Sequence, residues 1–371
     1  MRDQLVHARS LVVKLGTQTL SDSAKRLDVN YLHTIARQIA ILRTRGIAVT
    51  VVSSGAIGAG LAELGLPKRP TDLAQLQAVA AVGQRRLMDA WANAFAPHKL
   101  HVAQVLLTRE DIDQRKRFLN LRNTIHAVHA LGAVPIINEN DTISTDEIVR
   151  ISFGDNDILA AHVAAALRAD VLVLLSNVDG VLDGAGKSIR TIERTEEALN
   201  LIRTDKSALG KGGMNSKFAA AAMVTRGGEM LVVAHGRHEN VLVRVMDGEE
   251  AIGTLFLPRR AAREKGRTRW IGAARPSGRI IVDDGAAKAI IERNVSLLPA
   301  GIARVEGDFE KGDVVAIVSA SGIVLAHGLT NYPAADLEQI RGKKTAEVRS
   351  MLKERAYDEV VHRDNLVKLT G

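Results

Sequence analysis

Apolar residues in the first 258 positions gather into short, almost unbroken runs of Val, Ile and Leu. The runs are LVVKL (11–15), IAVTVVS (47–53), HVAQVLL (101–107), VPIIN (134–138), DVLVLL (170–175) and MLVVA (230–234). Between them lie stretches with apolar positions at helical spacing, near 29–45, 72–95, 113–131, 156–168 and 217–226. Near-continuous apolar strands separated by helices predict an α/β fold in which a mainly parallel sheet is covered on both faces. Ligands of such sheets bind beyond the carboxyl ends of the strands, so the loops leading into the helices are where function is expected.

The pattern changes after residue 258. RIIVDD (279–284), GIARVEG (301–307) and DVVAIVS (313–319) are short runs punctuated by Gly, Asp, Pro and Ser, followed by one helical segment, TAEVRSMLKER. This predicts a small β-rich domain. The expected division is therefore 1–258, a basic linker at 259–277, and a second domain at 278–371. With 371 residues, two domains are also the prior from length.

Composition narrows the picture without naming a chemistry. Apolar residues are 46% and charged residues 25% of the chain, as in ordinary globular proteins. No apolar run approaches the roughly 20 residues of a transmembrane helix. The first residues, MRDQLVHARSLVVKLG, scatter charge through the segment, so a secretory signal is not expected and the cytoplasm is the expected compartment. The absence of cysteine excludes disulfides, thiolate metal sites and a cysteine nucleophile. Of the net charge of +8, RRAAREKGRTR (259–269) carries +5, from six basic residues and one acidic one. A solvated linker is the favoured reading of that segment and an anionic partner such as RNA the alternative, since 3% aromatic content offers few stacking platforms for bases.

Several familiar motifs fail on spacing. DGAGKS (183–188) ends like a P-loop, but its first glycine would have to be Val181. SSGAIGAG (53–60) follows a strand, yet Glu63 stands where the dinucleotide fingerprint needs its third glycine. The pairs His98/His101, His126/His129 and His235/His238 show no third ligand in sequence and read as satisfied or surface histidines.

What remains is a set of polar loops at strand ends. Lys14 sits in an apolar strand and needs an anionic partner or solvent. Ser54 and Gly55 close the second strand, INENDT (137–142) follows VPI, and FGDND (153–157) opens the next helix. GKGGMNSK (210–217) sets three glycines and two lysines before the helical FAAAAMV. A parallel sheet brings such loops to one edge. Two lysines, a glycine-rich helix start and a cluster of carboxylates and amides there describe a phosphoryl-transfer site without a P-loop.

VVKLGTQTL, VSSGAIGAG, LLTRED, RFLNLRNT, INENDT, FGDNDILAA, LLSNVDG and GGMNSK, in this order, resemble the glutamate 5-kinases of the amino acid kinase family, and the tail resembles the PUA domain that many of them carry. The resemblance implies a three-layer αβα sandwich plus a small PUA-like barrel. It also implies ATP-dependent phosphorylation of the γ-carboxylate of L-glutamate, the first step of proline synthesis. Lys14 and Lys217 then fall on the transferring phosphoryl group, and Asp157 on the residue that holds them. Ser54, Gly55, Asn138, Asp141, Asp155 and Asn156 fall on the glutamate site. Lys14, Gly16, Ser176, Asn177, Lys211, Gly212, Gly213, Met214 and Lys217 fall on the ATP site, with Mg²⁺ carried by the phosphates and no protein metal site. Feedback inhibition by proline and homo-oligomerisation are further implications, and RNA is a candidate partner of the PUA-like domain; no membrane partner is expected, since no apolar run is long enough to span a bilayer. Lys211 stands where family members commonly have Thr. Gln18 and Thr19 replace small residues, with little effect expected.

Overall fold

Each of the six apolar runs forms a strand. A computed structural model describes residues 2–22, 26–143, 156–183, 186–195, 213–258, 270–272, 274–293, 295–352 and 357–369. Contacts divide the chain into two compact units, Met1–Arg263 and Glu264–Gly371.

The first unit is built on one eight-stranded sheet. Its strands are β1 (Ser10–Leu15), β2 (Ala48–Ser53), β3 (Val102–Leu107), β4 (Val134–Glu139), β5 (Val171–Ser176), β6 (Thr191–Ile192), β7 (Met230–His235) and β8 (Thr254–Phe256), in spatial order β3-β4-β2-β1-β5-β7-β8-β6. Every neighbouring pair is parallel except β7 with β8, so the strand order reverses direction only near one edge. The two short strands β6 and β8 carry too few apolar residues in a row to stand out in the sequence. β4 is buried at all six positions, as expected of a strand covered on both faces.

The helices that position the site are α1 (Val29–Thr44), α2 (Ala56–Glu63), α3 (Leu73–Phe95), α4 (Arg115–Ala130), α5 (Asn156–Leu167) and α6 (Gly213–Gly227). Asp28 and Asp72 start α1 and α3 by accepting the amides of Tyr31 and Gln75. α2 and α3 approach so closely that side chains are excluded at the crossing. A Cβ on Gly83 would lie 1.8 Å from the Ala56 carbonyl oxygen, and one on Gly60 would lie 2.0 Å from that of Val79. Gly55, between β2 and α2, has φ +101°, a backbone conformation that glycine adopts without strain.

The second unit holds a five-stranded mixed sheet of β9 (Gly278–Val282), β10 (Ile302–Gly307), β11 (Val314–Val318), β12 (Val324–Leu329) and β13 (Leu366–Lys368), ordered β10-β9-β11-β12-β13. Ile280, Val282, Val315 and Ile317 of this sheet share one apolar core with Leu337, Ile340 and Val348 of the flanking helices. The basic run 259–269 lies outside the described residues. Trp270 and Ile271, inside the expected linker, are helical and buried.

Candidate active site

β1 is flanked by β2 and β5, and Lys14 sits one residue from its carboxyl end, opposite Val52 and Leu174. An ammonium in a central strand, 4% exposed, must be compensated. Asp157, in the first turn of α5 and fully buried, does so, its Oδ1 lying 2.7 Å from Lys14 Nζ. Its Oδ2 lies 3.0 Å from Lys217 Nζ and accepts a hydrogen bond from Ser216 Oγ at 3.2 Å. One carboxylate thus draws two ammonium groups, from β1 and α6, to a single point at the sheet edge. Lys217 is the fifth residue of α6, because that helix begins at Gly213, four residues before its expected start.

Beside this triad lies a web of amides and hydroxyls. Asn156 Nδ2 reaches Ser54 Oγ at 2.6 Å, the Ser53 carbonyl at 3.1 Å and Asn138 Oδ1 at 3.3 Å. Asn138 Nδ2 in turn donates to Gln84 Oε1 at 2.8 Å. The ends of β2 and β4 and the start of α5 are thereby cross-linked through side chains that both donate and accept. The helix N-terminus adds a positive dipole end at Asn156 and Asp157. Asp141 follows β4 as a half-buried turn residue.

α5 is held from its middle as well. His162, fully buried, lies 3.1 Å from Arg109 Nη1 through its Nε2. Burial first, and the charge of Arg109 second, hold its pKa well below the usual histidine range. The ring is therefore neutral and accepts from the guanidinium, tying α5 to the short helix Arg109–Asp113 that follows β3.

The loops after β1 and β5 form the other flank. Gly16 leaves room beside Lys14, since a Cβ there would lie 3.3 Å from Nζ. Ser176 ends β5, and Asn177 Nδ2 donates to Gln18 Oε1 at 2.9 Å. Thr19 Oγ1 reaches the Leu175 carbonyl at 3.5 Å. Gln18 thus links the segment after β1 to the residue that follows β5. Gly213 and Met214 occupy the first turn of α6. Asp155, Lys211 and Gly212 lie outside the described residues.

The sequence profile of the amino acid kinase family matches residues 9–235, and that of the PUA domain matches 278–352. A glutamate 5-kinase of Pseudomonas paraeruginosa is 42% identical over 375 residues, covering 99% of this chain and 100% of that one. A glutamate 5-kinase of Thermus thermophilus is 43% identical over 365 residues, 97% of each chain. The chain belongs to the glutamate 5-kinase family.

Gln84 joins the site of this glutamate 5-kinase family member without having been singled out in the sequence, Ser216 lay in the 210–217 stretch without a role of its own, and the Ser53 carbonyl adds a main-chain acceptor. Gln84 left a signal, because it stands on the apolar stripe of α3 with Ala80 and Leu87, where a polar residue needs a buried partner. Ser216 left none beyond adjacency to Lys217. A main-chain carbonyl leaves none at all.

Proposed function

We propose that the protein transfers the γ-phosphoryl group of ATP to the γ-carboxylate of L-glutamate, giving L-glutamyl 5-phosphate. The observation that carries this reading is the convergence of Lys14 and Lys217 on Asp157 beside the web formed by Ser54, Asn138 and Asn156. A carboxylate with a pKa of about 4.3 is ionised at neutral pH, so the acceptor needs no general base. Its difficulty is approaching a polyanion. Lys14 and Lys217 offset that repulsion by facing the equatorial oxygens of the phosphoryl group, and Asp157 keeps both ammoniums in place.

Asn156, Asn138, Ser54 and the backbone at Gly55 hold the amino acid, with Asp141 and Asp155 as partners for its ammonium. Amides and hydroxyls suit this task because they serve both charges of an amino acid without repelling either. Gly16, Ser176, Asn177, Gly213 and Met214 serve the nucleotide side, and the family resemblance assigns Lys211 and Gly212 to it as well. Two buried ammoniums and bare glycine backbone fit a triphosphate, and the Mg²⁺ that accompanies it supplies further charge neutralisation. In this reading proline inhibits the enzyme by occupying the amino-acid subsite, and the protein acts in the cytoplasm as a homo-oligomer.

Incubating the purified chain with Mg-ATP, hydroxylamine and candidate acceptors tests the proposal. γ-Glutamyl hydroxamate is expected with glutamate and not with aspartate or acetylglutamate. A folded protein that yields no glutamate-dependent hydroxamate sinks the reading. Adding proline to the same assay tests the inhibition.

A further inference from the structure

The pair His235/His238, set aside in the sequence for want of a third ligand, finds one in the fold. Asp179, His235 and His238 each offer a ligand atom, and these atoms all lie within 4.8 Å of one another. His235 ends β7 and stands in register with Ser176, the last residue of β5; Asp179 follows three residues later. The next residue, Gly180, is pressed against the Thr254 side chain, where a Cβ would meet Oγ1 at 2.5 Å, so the turn that presents Asp179 is packed in place. His238 Nε2 lies 2.5 Å from Asp179 Oδ1, and the two imidazole centroids are 5.1 Å apart with planes inclined by 56°. The rings are tilted toward one another and not stacked.

We propose that Asp179, His235 and His238 form a binding site for a borderline divalent transition-metal ion of the Zn²⁺ or Co²⁺ class. Two imidazoles and one carboxylate are a donor set that such ions prefer, with water completing the coordination. Mg²⁺ is not selected, because it demands oxygen ligands. The cation between the histidines in sequence does not oppose an ion. Arg237 turns its charge away, donating to Asp28 Oδ2 at 2.6 Å and to the carbonyls of Thr19 and Ser21, with its guanidinium 4.2 Å above the Tyr31 ring. The Arg237 amide lies 3.2 Å from His235 Nδ1, a long contact that an ion on this nitrogen displaces. Asp179 and His238 are both exposed, which gives an ion access from solvent. The site rests on these three side chains and is independent of the phosphoryl-transfer reading.

The full chain, stripped with a chelator, is titrated with CoCl₂ while visible d–d absorption is followed, and with ZnCl₂ in a calorimeter. One ion per chain with micromolar affinity is expected. Asp179→Ala, His235→Ala and His238→Ala are each expected to weaken binding by about tenfold or more. The control His98→Ala/His101→Ala, at another pair of the same spacing, is expected to leave it unchanged. Circular dichroism establishes that each variant is folded. Absence of Co²⁺ and Zn²⁺ binding to the parent chain, or undiminished affinity in any one of the three variants, overturns the proposal.

Discussion

Asp157 concentrates the chemistry of the first unit in one side chain. It is fully buried, and each of its oxygens faces a lysine, at 2.7 Å and 3.0 Å. Replacing it by Asn keeps the shape and removes the charge that compensates two buried ammoniums. Breaking such a cluster costs about 3 kcal/mol or more. Asp157→Asn is therefore expected to lower the urea midpoint and to abolish turnover together. Lys14→Ala or Lys217→Ala removes one phosphate-facing charge, and under the proposed reaction turnover falls roughly a hundred- to a thousandfold, read from steady-state kcat. Asn156→Ala differs in kind. It strips the donor shared by Ser54, the Ser53 carbonyl and Asn138, so the KM for glutamate is expected to rise by about tenfold, with a smaller change in kcat. An equal fall in kcat and kcat/KM with no rise in KM contradicts that assignment.

At the scale of elements, the site depends on how closely α2 and α3 pack behind the end of β2. Gly60 and Gly83 mark the crossing, and a methyl group on either would overlap backbone atoms, at 2.0 Å and 1.8 Å. Gly60→Ala and Gly83→Ala are each expected to destabilise the protein by about 2 kcal/mol, measured by urea unfolding. Gly58 lies on the same helix as Gly60, and a methyl group there would meet nothing within 4 Å. Gly58→Ala is expected to stabilise by about 0.5–1 kcal/mol, because alanine is the better helix former. The opposite signs separate close approach from helix propensity within one eight-residue helix.

For the molecule as a whole, two histidines couple stability to pH. Burial, reinforced by Arg43 and His126, lowers the His129 pKa to about 4, and burial with Arg109 holds that of His162 well below its usual value. Both rings bind protons less readily folded than unfolded, so acidification favours the unfolded chain. Their contribution is complete above the ordinary histidine pKa of about 6.5 and declines as pH falls, through about 4 for His129. Urea midpoints measured near pH 7.5 and near pH 5 are expected to drop at the lower pH. His129→Gln should flatten that dependence, since its amide does not titrate there.

The apolar runs alone determined the central strands and the αβα class, because a strand buried on both faces must be apolar at consecutive positions. The order of polar loops was enough to mark Lys14, Ser54, Asn138, Asn156, Asp157 and Lys217, because a parallel sheet sends alternate loops to one edge. The short strands β6 and β8 stayed hidden, since two or three residues carry no periodicity. So did the pairing of both lysines with one carboxylate, the place of Gln84 beside Asn138, and the meeting of Asp179 with His235 and His238. Each joins residues tens of positions apart, and only strand register and helix crossing decide whether such side chains come within reach.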